Sequence, residues 1–561
     1  MHDTYLAPDI SVRKTDVLII GAGPTGLTLA NTLGASGIKT IVIDKKPGPV
    51  EDPRAVSVDD AALRVMQSLR LCDEVLADGV PGTGMRFRGA SGQILARVAS
   101  SVSELGYPKR TNVHQPIVEA TLLEGLTRFD SVDVLFGHEL RSIAAGECGA
   151  GFETPAIADV VGPDGAPMQI HARIVAACDG GRSFTRKLLG IQMDGRTFEQ
   201  RWLVLDTIDP QNTEQESDVY CDPARPRVRI PGPRNHVRWE FMIRASEDSN
   251  YFLESGYRAL LNQYRGSDDV SLASKRVYTF HARMARHWSV GNIYLLGDAA
   301  HLNPPFGGQG MINGIRDAAN FGWKCVAILK KNFAPALLST YETERRCSMQ
   351  DSIDFSLKMG NLMMPSGRLS GWLNAMALAI AFKIPSMRDH IVQQKHRPKP
   401  RLGDGFVTST SARHPAGSVG RMLPQPVVVD SSGTENRLDS ALGTGFALIG
   451  DDPLALWRFF EGNGSRLKRL APELIALSHQ RAPNESGTSV RVLKDVDGTV
   501  LSMLKALPGS VLLVRPDRYI AASFSMEADA SEVDAFFDTV QSYLPTCNSS
   551  NMWSKNETAV I

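Results

Sequence analysis

The sequence of 561 residues has no excess of charge of either sign, since 61 Lys and Arg balance 61 Asp and Glu. This balance removes the general attraction to nucleic acid or anionic lipid that a basic protein has. The most prominent apolar run, residues 373–382, is shorter than the ~20 residues of a bilayer span. It predicts a buried or partner-facing helix. Residues 1–14 lack the apolar core of a secretory signal, so we expect a cytoplasmic protein with no membrane span.

Cysteine is also scarce, with seven residues in the chain and no two of them spaced as CxxC. This spacing indicates neither a disulfide framework nor a zinc site, and no other metal site is predicted. We expect reduced, mostly buried cysteines. The length exceeds what one core of ~250–300 residues supports, so two or three domains are expected.

The first recognisable motif begins at residue 16. The apolar run DVLII, residues 16–20, predicts a strand that is covered on both faces. The string GAGPTG follows at residues 21–26, then a helical pattern over residues 27–37 and a second strand over residues 40–43 that ends at Asp44. This order of strand, Gly-rich turn, helix, strand and acid is typical of a dinucleotide-binding unit.

Each glycine of this turn has a separate physical role. Gly21 permits the tight turn, Gly23 leaves room for a pyrophosphate, and Gly26 allows close packing of helix on strand. The N-terminus of the helix offers free N–H groups to phosphate, and Asp44 can accept hydrogen bonds from ribose hydroxyls. The motif alone does not distinguish FAD from NAD(P).

Two later segments repeat the pattern of a strand followed by a polar Gly-rich turn. Residues 172–177 (ARIVAA) lead into CDGGRS at residues 178–183. Residues 291–296 (GNIYLL) lead into GDAAH, then into PPFGGQG at residues 304–310 and a helical pattern over residues 311–328. A carboxylate at a strand end suits a polyol hydroxyl, and the helix start would stabilise negative charge on a reduced flavin ring.

Together these three segments resemble the group A flavoprotein monooxygenases, the family of p-hydroxybenzoate hydroxylase and phenol hydroxylase. The strings PRAVSVDDAALRVMQSL from Pro53, AACDGG from Ala176 and YTFHARMA from Tyr278 are similar to its 3-(3-hydroxyphenyl)propionate hydroxylase branch. CDPARP from Cys221 and YETERR from Tyr341 also fit. The resemblance implies an α/β fold: a Rossmann-like FAD-binding domain, a mixed β-sheet substrate domain and a thioredoxin-like C-terminal domain.

The resemblance also implies that FAD is the cofactor and that NADH or NADPH is the co-substrate. In this family NAD(P)H reduces FAD, and O2 then forms a flavin C4a-hydroperoxide that hydroxylates an aromatic, typically phenolic, ring. No second GxGxxG motif is present, as expected when NAD(P)H binds transiently. The cofactor residues implied by matching positions are Gly21, Gly23, Gly26, Asp44, Arg54, Gln115, Asp179, Arg182, Asp298, Pro305, Gly308, Gly310 and Met311.

The substrate sheet is predicted from short strands at residues 202–205, 227–230, 237–243 and 276–280. Its polar and aromatic side chains are candidates for the pocket, although such residues on strands are usually core or surface. The candidates are Tyr220, Arg238, Trp239, Phe241, Tyr278 and His281, with His114 as a further hydrogen-bond donor.

Asp59 and Asp60 have two interpretations. One of them is a base for a phenolic proton, or both are acids in the first turn of a helix from Ala61, where the helix dipole favours them. The predicted catalytic set is therefore Asp59, Asp60, His114, Arg238, Tyr278 and His281.

The predicted domains are residues 14–190 plus 285–400 for FAD and residues 191–284 for substrate. Residues 401–545 form the thioredoxin-like C-terminal domain, with strands at 445–450, 510–515 and 519–523 and a helix at 530–544. Without a CxxC this domain is expected to be structural or to form a homodimer contact. Residues 546–561 are expected to be disordered.

The leading hypothesis is a monooxygenase that hydroxylates a small aromatic substrate with O2. The alternatives are the same chemistry on a heteroaromatic or polyketide substrate, and a flavin-binding regulatory protein without catalysis. The segment at residues 297–310 argues against the last, because the resemblance implies that this segment serves the flavin ring and not only the ADP half.

Overall fold

A computed structural model describes residues 10–49, 51, 53–99, 101–146, 154–365, 367–392, 397–408, 417–478, 489–506, 510–526 and 531–545. The predicted tail, residues 546–561, lies outside these ranges. The strands of the first half of the chain are β1 (Ser11–Ile20), β2 (Thr40–Asp44), β3 (Ser57–Val58), β4 (Val80–Pro81), β5 (Met85–Arg88), β6 (Ile94–Val98), β7 (Thr111–Asn112), β8 (Val132–Phe136), β9 (Glu139–Ala144), β10 (Ala156–Val161), β11 (Pro167–Ala177), β12 (Met193–Ile208), β13 (Ser217–Tyr220), β14 (Arg227–Pro231), β15 (His236–Ile243) and β16 (Ser271–Ala285).

The remaining strands are β17 (Ser289–Val290), β18 (Ile293–Leu295), β19 (His301–Leu302), β20 (Val427–Val429), β21 (Glu435–Arg437), β22 (Ala447–Gly450), β23 (Glu473–Ser478), β24 (Arg491–Asp495), β25 (Ser510–Val514) and β26 (Ile520–Ser525). The helices are α1 (Pro24–Gly34), α2 (Asp60–Ser68), α3 (Cys72–Ala77), α4 (Gln115–Gly125), α5 (Phe184–Leu188), α6 (Ser249–Tyr251), α7 (Tyr257–Arg265), α8 (Gly310–Lys331), α9 (Thr340–Met363), α10 (Arg368–Lys383), α11 (Pro385–Val392), α12 (Asp439–Leu442), α13 (Pro453–Gly462), α14 (Gly464–Leu467), α15 (Thr499–Lys505) and α16 (Ser531–Val540).

The first sheet confirms the predicted Rossmann-like unit. Its central order is β17-β18-β11-β1-β2-β8, in which β18, β11, β1, β2 and β8 run parallel. The second parts of β1 and β11 are apolar and buried because helices or further strands cover both faces of a parallel sheet. Both strands begin earlier than their apolar runs predict, at Ser11 and Pro167.

The second sheet is the predicted mixed substrate sheet, in the order β19-β16-β12-β15-β14-β13-β5-β6. Two of its strands, β5 and β6, precede residue 191 in the chain, and β13 pairs with β5 in parallel. Alternation along β12 and β15 sends Leu203, Leu205, Trp239 and Phe241 to one face, where they pack against α7. The other face is turned towards the FAD-binding domain.

The C-terminal sheet has the order β21-β20-β24-β23-β22-β25-β26. β22, β23 and β24 are parallel neighbours, and β25 and β26 follow as an antiparallel pair. This mixed sheet with helices on its faces agrees with the thioredoxin-like prediction.

The predicted helix at residues 373–382 is part of α10, whose side chains Leu369 and Trp372 are 71% and 59% exposed. No helix within the described ranges is both long and apolar enough to cross a bilayer.

The five cysteines in those ranges, Cys72, Cys178, Cys221, Cys325 and Cys347, form no disulfide. A homodimer stays a prediction.

A buried charge network joins the C-terminal domain to the helices that follow the FAD motifs. Arg515 donates to both carboxylate oxygens of Glu344 at 2.8 and 2.9 Å, and Lys324 donates to the same carboxylate at 2.9 Å. All three side chains are fully buried. Although burial alone would raise it, Arg515 and Lys324 hold the pKa of Glu344 well below its usual range.

Arg515→Met should destabilise the protein by about 3–5 kcal/mol, because it leaves part of a buried charge network unpaired. The measurement is thermal or denaturant unfolding. Lys399→Met removes the exposed pair with Glu104 and should change stability by no more than about 1 kcal/mol. Since the pKa of Glu344 is depressed in the folded protein, its ionised carboxylate stabilises the fold fully above the unfolded pKa of ~4.3. This stabilisation is lost as the pH falls below that value towards the lower folded pKa. Equal effects of the two substitutions would contradict this account.

Candidate active site

The ends of four parallel strands place the three Gly-rich segments at one edge of the first sheet. Gly21 donates to the carbonyl of Ile43 at 2.7 Å, Cys178 donates to that of Ile20 at 2.7 Å, and Leu296 donates to that of Ala177 at 2.9 Å. Segments that are more than 100 residues apart in the sequence thus become neighbours at the edge where α/β proteins bind ligands.

A cavity of about 1460 Å³ lies between this edge and the inner face of the substrate sheet. All predicted cofactor residues except Gly26 line it: Gly21, Gly23, Asp44, Arg54, Gln115, Asp179, Arg182, Asp298, Pro305, Gly308, Gly310 and Met311. It exceeds the ~300–1,000 Å³ of ordinary ligand pockets, so a dinucleotide and a substrate can share it.

The three glycines of the first turn have different surroundings. Gly21 has φ +110°, and a Cβ there would lie 2.4 Å from the carbonyl oxygen of Cys178. A Cβ on Gly26 would lie 2.0 Å from the carbonyl oxygen of Gly21, so this residue sets the approach of α1 to β1. A Cβ on Gly23 would meet no protein atom within 4 Å, because it would project into the cavity at the start of α1.

Three carboxylates face the cavity from the strand ends. Asp44 accepts from the backbone N–H groups of Ala22 and Lys46 at 2.9 Å each. Asp179 accepts from Thr185 N at 2.9 Å through one oxygen, while its buried Oδ1 has no partner in the described residues. Burial raises the pKa of the Asp298 carboxyl. Asp179 and Asp298 therefore keep acceptor atoms for a ligand hydroxyl or amide.

The loop at residues 304–310 ends at α8, a helix of 22 residues whose first residues, Gly310 and Met311, line the cavity. Gly307 and Gly308 have φ of +100° and +68°, so the loop needs glycine at both positions. The unpaired N–H groups and the dipole of a long helix favour a negative group at this end.

Gln115 and Arg238 clamp the segment of Pro53, Arg54 and Ala55 from opposite sides. The Gln115 Oε1 accepts from Arg54 N at 2.9 Å and Ala55 N at 2.5 Å. Arg238, on β15, donates to the carbonyls of Arg54 and Pro53 at 2.7 and 2.5 Å. Arg238 is 4% exposed and is also paired with Asp206 at 2.8 Å. It thus links the substrate sheet to a wall of the cofactor site.

Sequence reasoning missed two residues that hold the FAD segments together. Arg186 donates to Ala299 O at 2.8 Å and Gly181 O at 3.0 Å, which ties the second motif to the third. Asp317, on α8, accepts from Gly297 N at 3.1 Å and bonds His301 Nε2 at 2.6 Å. Although burial opposes it, His301 and Arg345 lower the pKa of Asp317 to about 2. The helical spacing between residues 310 and 317 was the only sequence signal for this contact.

Asp59 and Asp60 have different surroundings in the structure. Asp59 is the N-cap of α2, accepts from Ala62 N at 3.0 Å, and pairs with Arg316 and Arg397. It lines the cavity, whereas Asp60 does not. Burial and the adjacent Asp59 raise the pKa of Asp60. The helix-capping interpretation therefore describes Asp59, which in addition orders two arginines.

The other predicted catalytic side chains are more scattered. Tyr278 and His281 line the cavity from β16, and the His281 Nδ1 is 3.0 Å from Thr197 Oγ1. Burial lowers the pKa of His281. His114 precedes α4 and stacks on His236 with ring centroids 4.4 Å apart, outside the cavity lining. Burial lowers the pKa of His114 as well.

Three pocket candidates from the sequence need correction. Trp239 and Phe241 are 4% and 0% exposed and stack on each other on the α7 side of the sheet. Tyr220 lies against the Arg227 guanidinium at 4.0 Å and does not line the cavity. A one-residue offset along a strand reverses the face, and sequence alone does not show which face of the sheet is the inner one.

The inner face of the sheet supplies the substrate end of the cavity, and most of its side chains are apolar. Sequence reasoning missed Glu240, the next inward residue after Arg238 on β15, and the cationic residues Lys109, Arg110 and Arg397. Burial lowers the pKa of Arg110 to about 10. The apolar lining comprises Met85, Phe87, Val98, Val204, Val219, Val228, Ile230, Phe280, Phe355, Met359 and Met363.

These features fit FAD. The open space at Gly23 accommodates a pyrophosphate, the carboxylates of Asp44 and Asp298 lie at strand ends where ribose and ribityl hydroxyls would bind, and the α8 terminus suits the flavin ring. No group of three His, Cys, Asp or Glu side chains in the described part of the chain is arranged to bind a metal ion.

Comparison with known proteins agrees with this geometry. A family model described as "FAD binding domain" matches residues 14–356, and one described as "HcaD C-terminal domain" matches residues 420–539. The 3-(3-hydroxy-phenyl)propionate/3-hydroxycinnamic acid hydroxylase of Mycolicibacterium smegmatis is 37% identical over 520 residues, covering 91% of each chain. A protein named 3-(3-hydroxy-phenyl)propionate/3-hydroxycinnamic acid hydroxylase 2, from Burkholderia vietnamiensis, is 34% identical over 93% of this chain and 96% of its own.

Solved structures support the fold. The flavin-dependent monooxygenase PieE, in complex with FAD and substrate, superposes with a TM-score of 0.75 at 20% identity, over 96% of this chain and all of its own. Aklavinone-11 hydroxylase with FAD and aklavinone has the same TM-score and identity, over 94% of this chain and 99% of its own.

Gly23→Ala and Gly26→Ala form a matched pair that separates cofactor binding from folding. Gly23→Ala should leave the melting temperature of the FAD-free protein unchanged but weaken FAD binding at least about tenfold, since the added methyl enters only the cavity. Gly26→Ala should lower that melting temperature, because its Cβ would overlap a backbone carbonyl. FAD titration and thermal unfolding measure the two effects. Full FAD affinity in Gly23→Ala would contradict the placement of the pyrophosphate.

Asp298→Ala should reduce FAD affinity about tenfold or more, through loss of a charge-assisted hydrogen bond worth about 1.5–3 kcal/mol. A FAD-binding titration followed by flavin fluorescence measures this. The control is Asp130→Ala, an exposed acid in the same domain, which should bind FAD as the unmodified protein does. Unchanged affinity in Asp298→Ala would remove this carboxylate from the cofactor site.

Proposed function

This chain belongs to the FAD binding domain family and is a flavin-dependent aromatic hydroxylase, and we propose that its substrate is a phenol with a carboxylate side chain. FAD, when bound, accepts a hydride from NADH or NADPH and activates O2. The protein's own residues supply binding, orientation and exclusion of water. The observation that carries the proposal is the lining of the cavity. Cofactor segments line one part of it, apolar side chains form a wall in another, and Lys109, Arg110 and Arg397 form a cationic border to that wall.

The apolar wall suits an aromatic ring. Val204, Val228 and Ile230 on the sheet face the same cavity as Phe306 and Gly307 of the cofactor loop. A flat ring between these surfaces would be held against the flavin without access for bulk water. Such positioning is the main contribution that the protein makes to ring hydroxylation.

The cationic border suits a carboxylate. The Arg110 guanidinium donates to Asn112 Oδ1 at 3.1 Å and makes no ion pair within the described residues. Arg397 donates to Asp59 at 2.7 Å and to Lys109 O at 3.2 Å, so one carboxylate of the protein serves both Arg397 and Arg316. An anionic substrate group would compensate the remaining positive charge.

The relatives named as 3-(3-hydroxy-phenyl)propionate/3-hydroxycinnamic acid hydroxylases support this choice, since their substrates are phenols with a carboxylate on a short chain. A heteroaromatic or polyketide substrate is the alternative. We further propose a cytoplasmic location, on the ground that NAD(P)H is available there.

A screen of phenolic acids, heteroaromatics and polycyclic phenols tests the proposal. Purified protein should retain FAD, and phenolic acids should stimulate NAD(P)H oxidation with a product heavier by one oxygen atom. Methyl esters of the same acids should show a KM about tenfold or more above that of the acid, because the charged contact with Arg110 is lost. In Arg110→Met this difference should disappear.

Oxidation without the mass gain would contradict hydroxylation. Equal use of acid and ester by the unmodified protein would contradict a carboxylate-binding role for the cationic border. Preferential turnover of polycyclic phenols would favour the alternative substrate class.

A further inference from the structure

Glu240 is an acidic side chain on the inner face of the substrate sheet. On β15 it lies one alternation beyond Arg238, and its register partners are Val204 on β12 and Val228 on β14. Further apolar residues, Val219 and Ile230, line the cavity around it. A carboxylate in such surroundings loses solvation by water, so its retention at this position needs a reason.

No hydrogen bond or ion pair within the described residues engages the Glu240 carboxylate. Asp206, on the adjacent strand, differs sharply: it accepts from Arg238 Nε at 2.8 Å and from Ser274 Oγ at 2.9 Å. Arg238 is thereby already paired, and it also donates to Pro53 and Arg54. Glu240 therefore keeps acceptor atoms directed into the space where a substrate ring would lie.

The charged and titratable groups that face Glu240 are few. They are Arg238 on its own strand, Asp206 on β12, Arg276 and Tyr278 on β16, and Arg110 from the segment before β7. Burial raises the pKa of Glu240, Asp206 adds to this effect, and Arg238 and Arg110 oppose it. A carboxylate with a raised pKa is a stronger base than an exposed one, yet it can still be ionised near neutral pH.

We propose that Glu240 accepts the proton of the substrate's phenolic hydroxyl and is the catalytic base of the hydroxylation. This inference rests on the proposed function, because it requires a phenolic substrate in the cavity. The O–H bond of the phenol breaks, its electron pair stays on the phenolate oxygen, and the proton forms a new O–H bond on a Glu240 oxygen. The phenolate donates electron density to the ring, and a ring carbon forms the new C–O bond with one oxygen atom that derives from O2. The O–O bond to the second oxygen atom breaks, and that atom leaves as water.

The other protons of the reaction are accounted for by its reactants and products. The ring carbon that gains oxygen loses its own proton as aromaticity returns, and Glu240 releases the phenolic proton to the product oxygen or to solvent. Overall, the phenol, O2, NAD(P)H and one proton give the hydroxylated phenol, NAD(P)+ and water. Glu240 ends in the carboxylate form in which it began.

Asp59, one of the two acids considered for this role in the sequence, is a weaker candidate on geometry. Its oxygens accept from Ala62 N and from the guanidinium groups of Arg316 and Arg397. These donors occupy the lone pairs that would receive a proton, and two adjacent cations oppose its arrival. Its contacts indicate a residue that orders the cationic border of the pocket.

The test is Glu240→Gln, which keeps the shape of the side chain and removes the base. The control is Glu199→Gln, an exposed residue of β12 outside the cavity lining. Glu240→Gln should retain FAD and its melting temperature but form product about 10²-fold more slowly or worse with an ordinary phenol. NAD(P)H oxidation should fall less than product formation, so that oxidation becomes uncoupled from hydroxylation. Glu199→Gln should match the unmodified protein.

Phenols with electron-withdrawing substituents give the decisive comparison. They are already ionised at the assay pH, so the rate ratio of unmodified protein to Glu240→Gln should fall towards 1 with them. In the unmodified protein, product formation from an ordinary phenol should decline as the pH falls through the raised pKa of Glu240, and Glu240→Gln should lack this limb. A structural role would produce neither effect.

The outcomes separate this inference from the function on which it rests. If the unmodified protein hydroxylates phenols but Glu240→Gln does so equally well, or if its deficit is the same for acidic and ordinary phenols, Glu240 is not the base. If the unmodified protein hydroxylates no phenol, the proposed function and this inference are both overturned. A Glu240→Gln protein without FAD or with a lowered melting temperature would show that Glu240 is structural.

Discussion

The parallel pairing of β1 with β2 and β11, and of β11 with β18, is the constraint on which the site depends. It brings the carboxyl ends of these strands to one edge, so that the turns at Gly21, Cys178 and Gly297 lie side by side. The close approach of Gly26 to the Gly21 carbonyl then fixes α1 against the edge. Arg186 and Asp317 hold the other two turns in place through hydrogen bonds to their backbones.

The substrate sheet adds a second constraint, the alternation of side chains along β15. The odd-numbered residues Trp239 and Phe241 enter the core beneath α7, and the even-numbered Arg238 and Glu240 face the cavity. These two inward charges have different environments. Arg238 donates hydrogen bonds to Asp206 and to the backbone carbonyls of Pro53 and Arg54, whereas Glu240 faces apolar side chains. One strand thus provides both a structural link between domains and a polar group for substrate.

Buried charge pairs also attach the C-terminal domain, at two separate places. Arg64 of α2 pairs with Asp439, and Arg515 pairs with Glu344 of α9. The two attached helices also contribute to the cavity, since Asp59 caps α2 and Phe355 lies on α9, and both residues line it. The expectation that this domain, without a CxxC, is structural or forms a homodimer contact stays a prediction.

The sequence by itself determined the cofactor half of this protein. The Gly-rich turns, the acids at strand ends and the strand and helix patterns next to them are local features, and local spacing is sufficient to read them. The predicted FAD residues therefore gather around one cavity. Only the tertiary structure decided the substrate half. The inward face of a strand, the pairing of Arg238 with Asp206 and the isolation of Glu240 depend on neighbours that are distant in the sequence. The same holds for Asp59, whose partners Arg316 and Arg397 lie more than 250 residues away. The sequence shows which side chains carry a charge, but only tertiary packing decides whether an oppositely charged partner neutralises it.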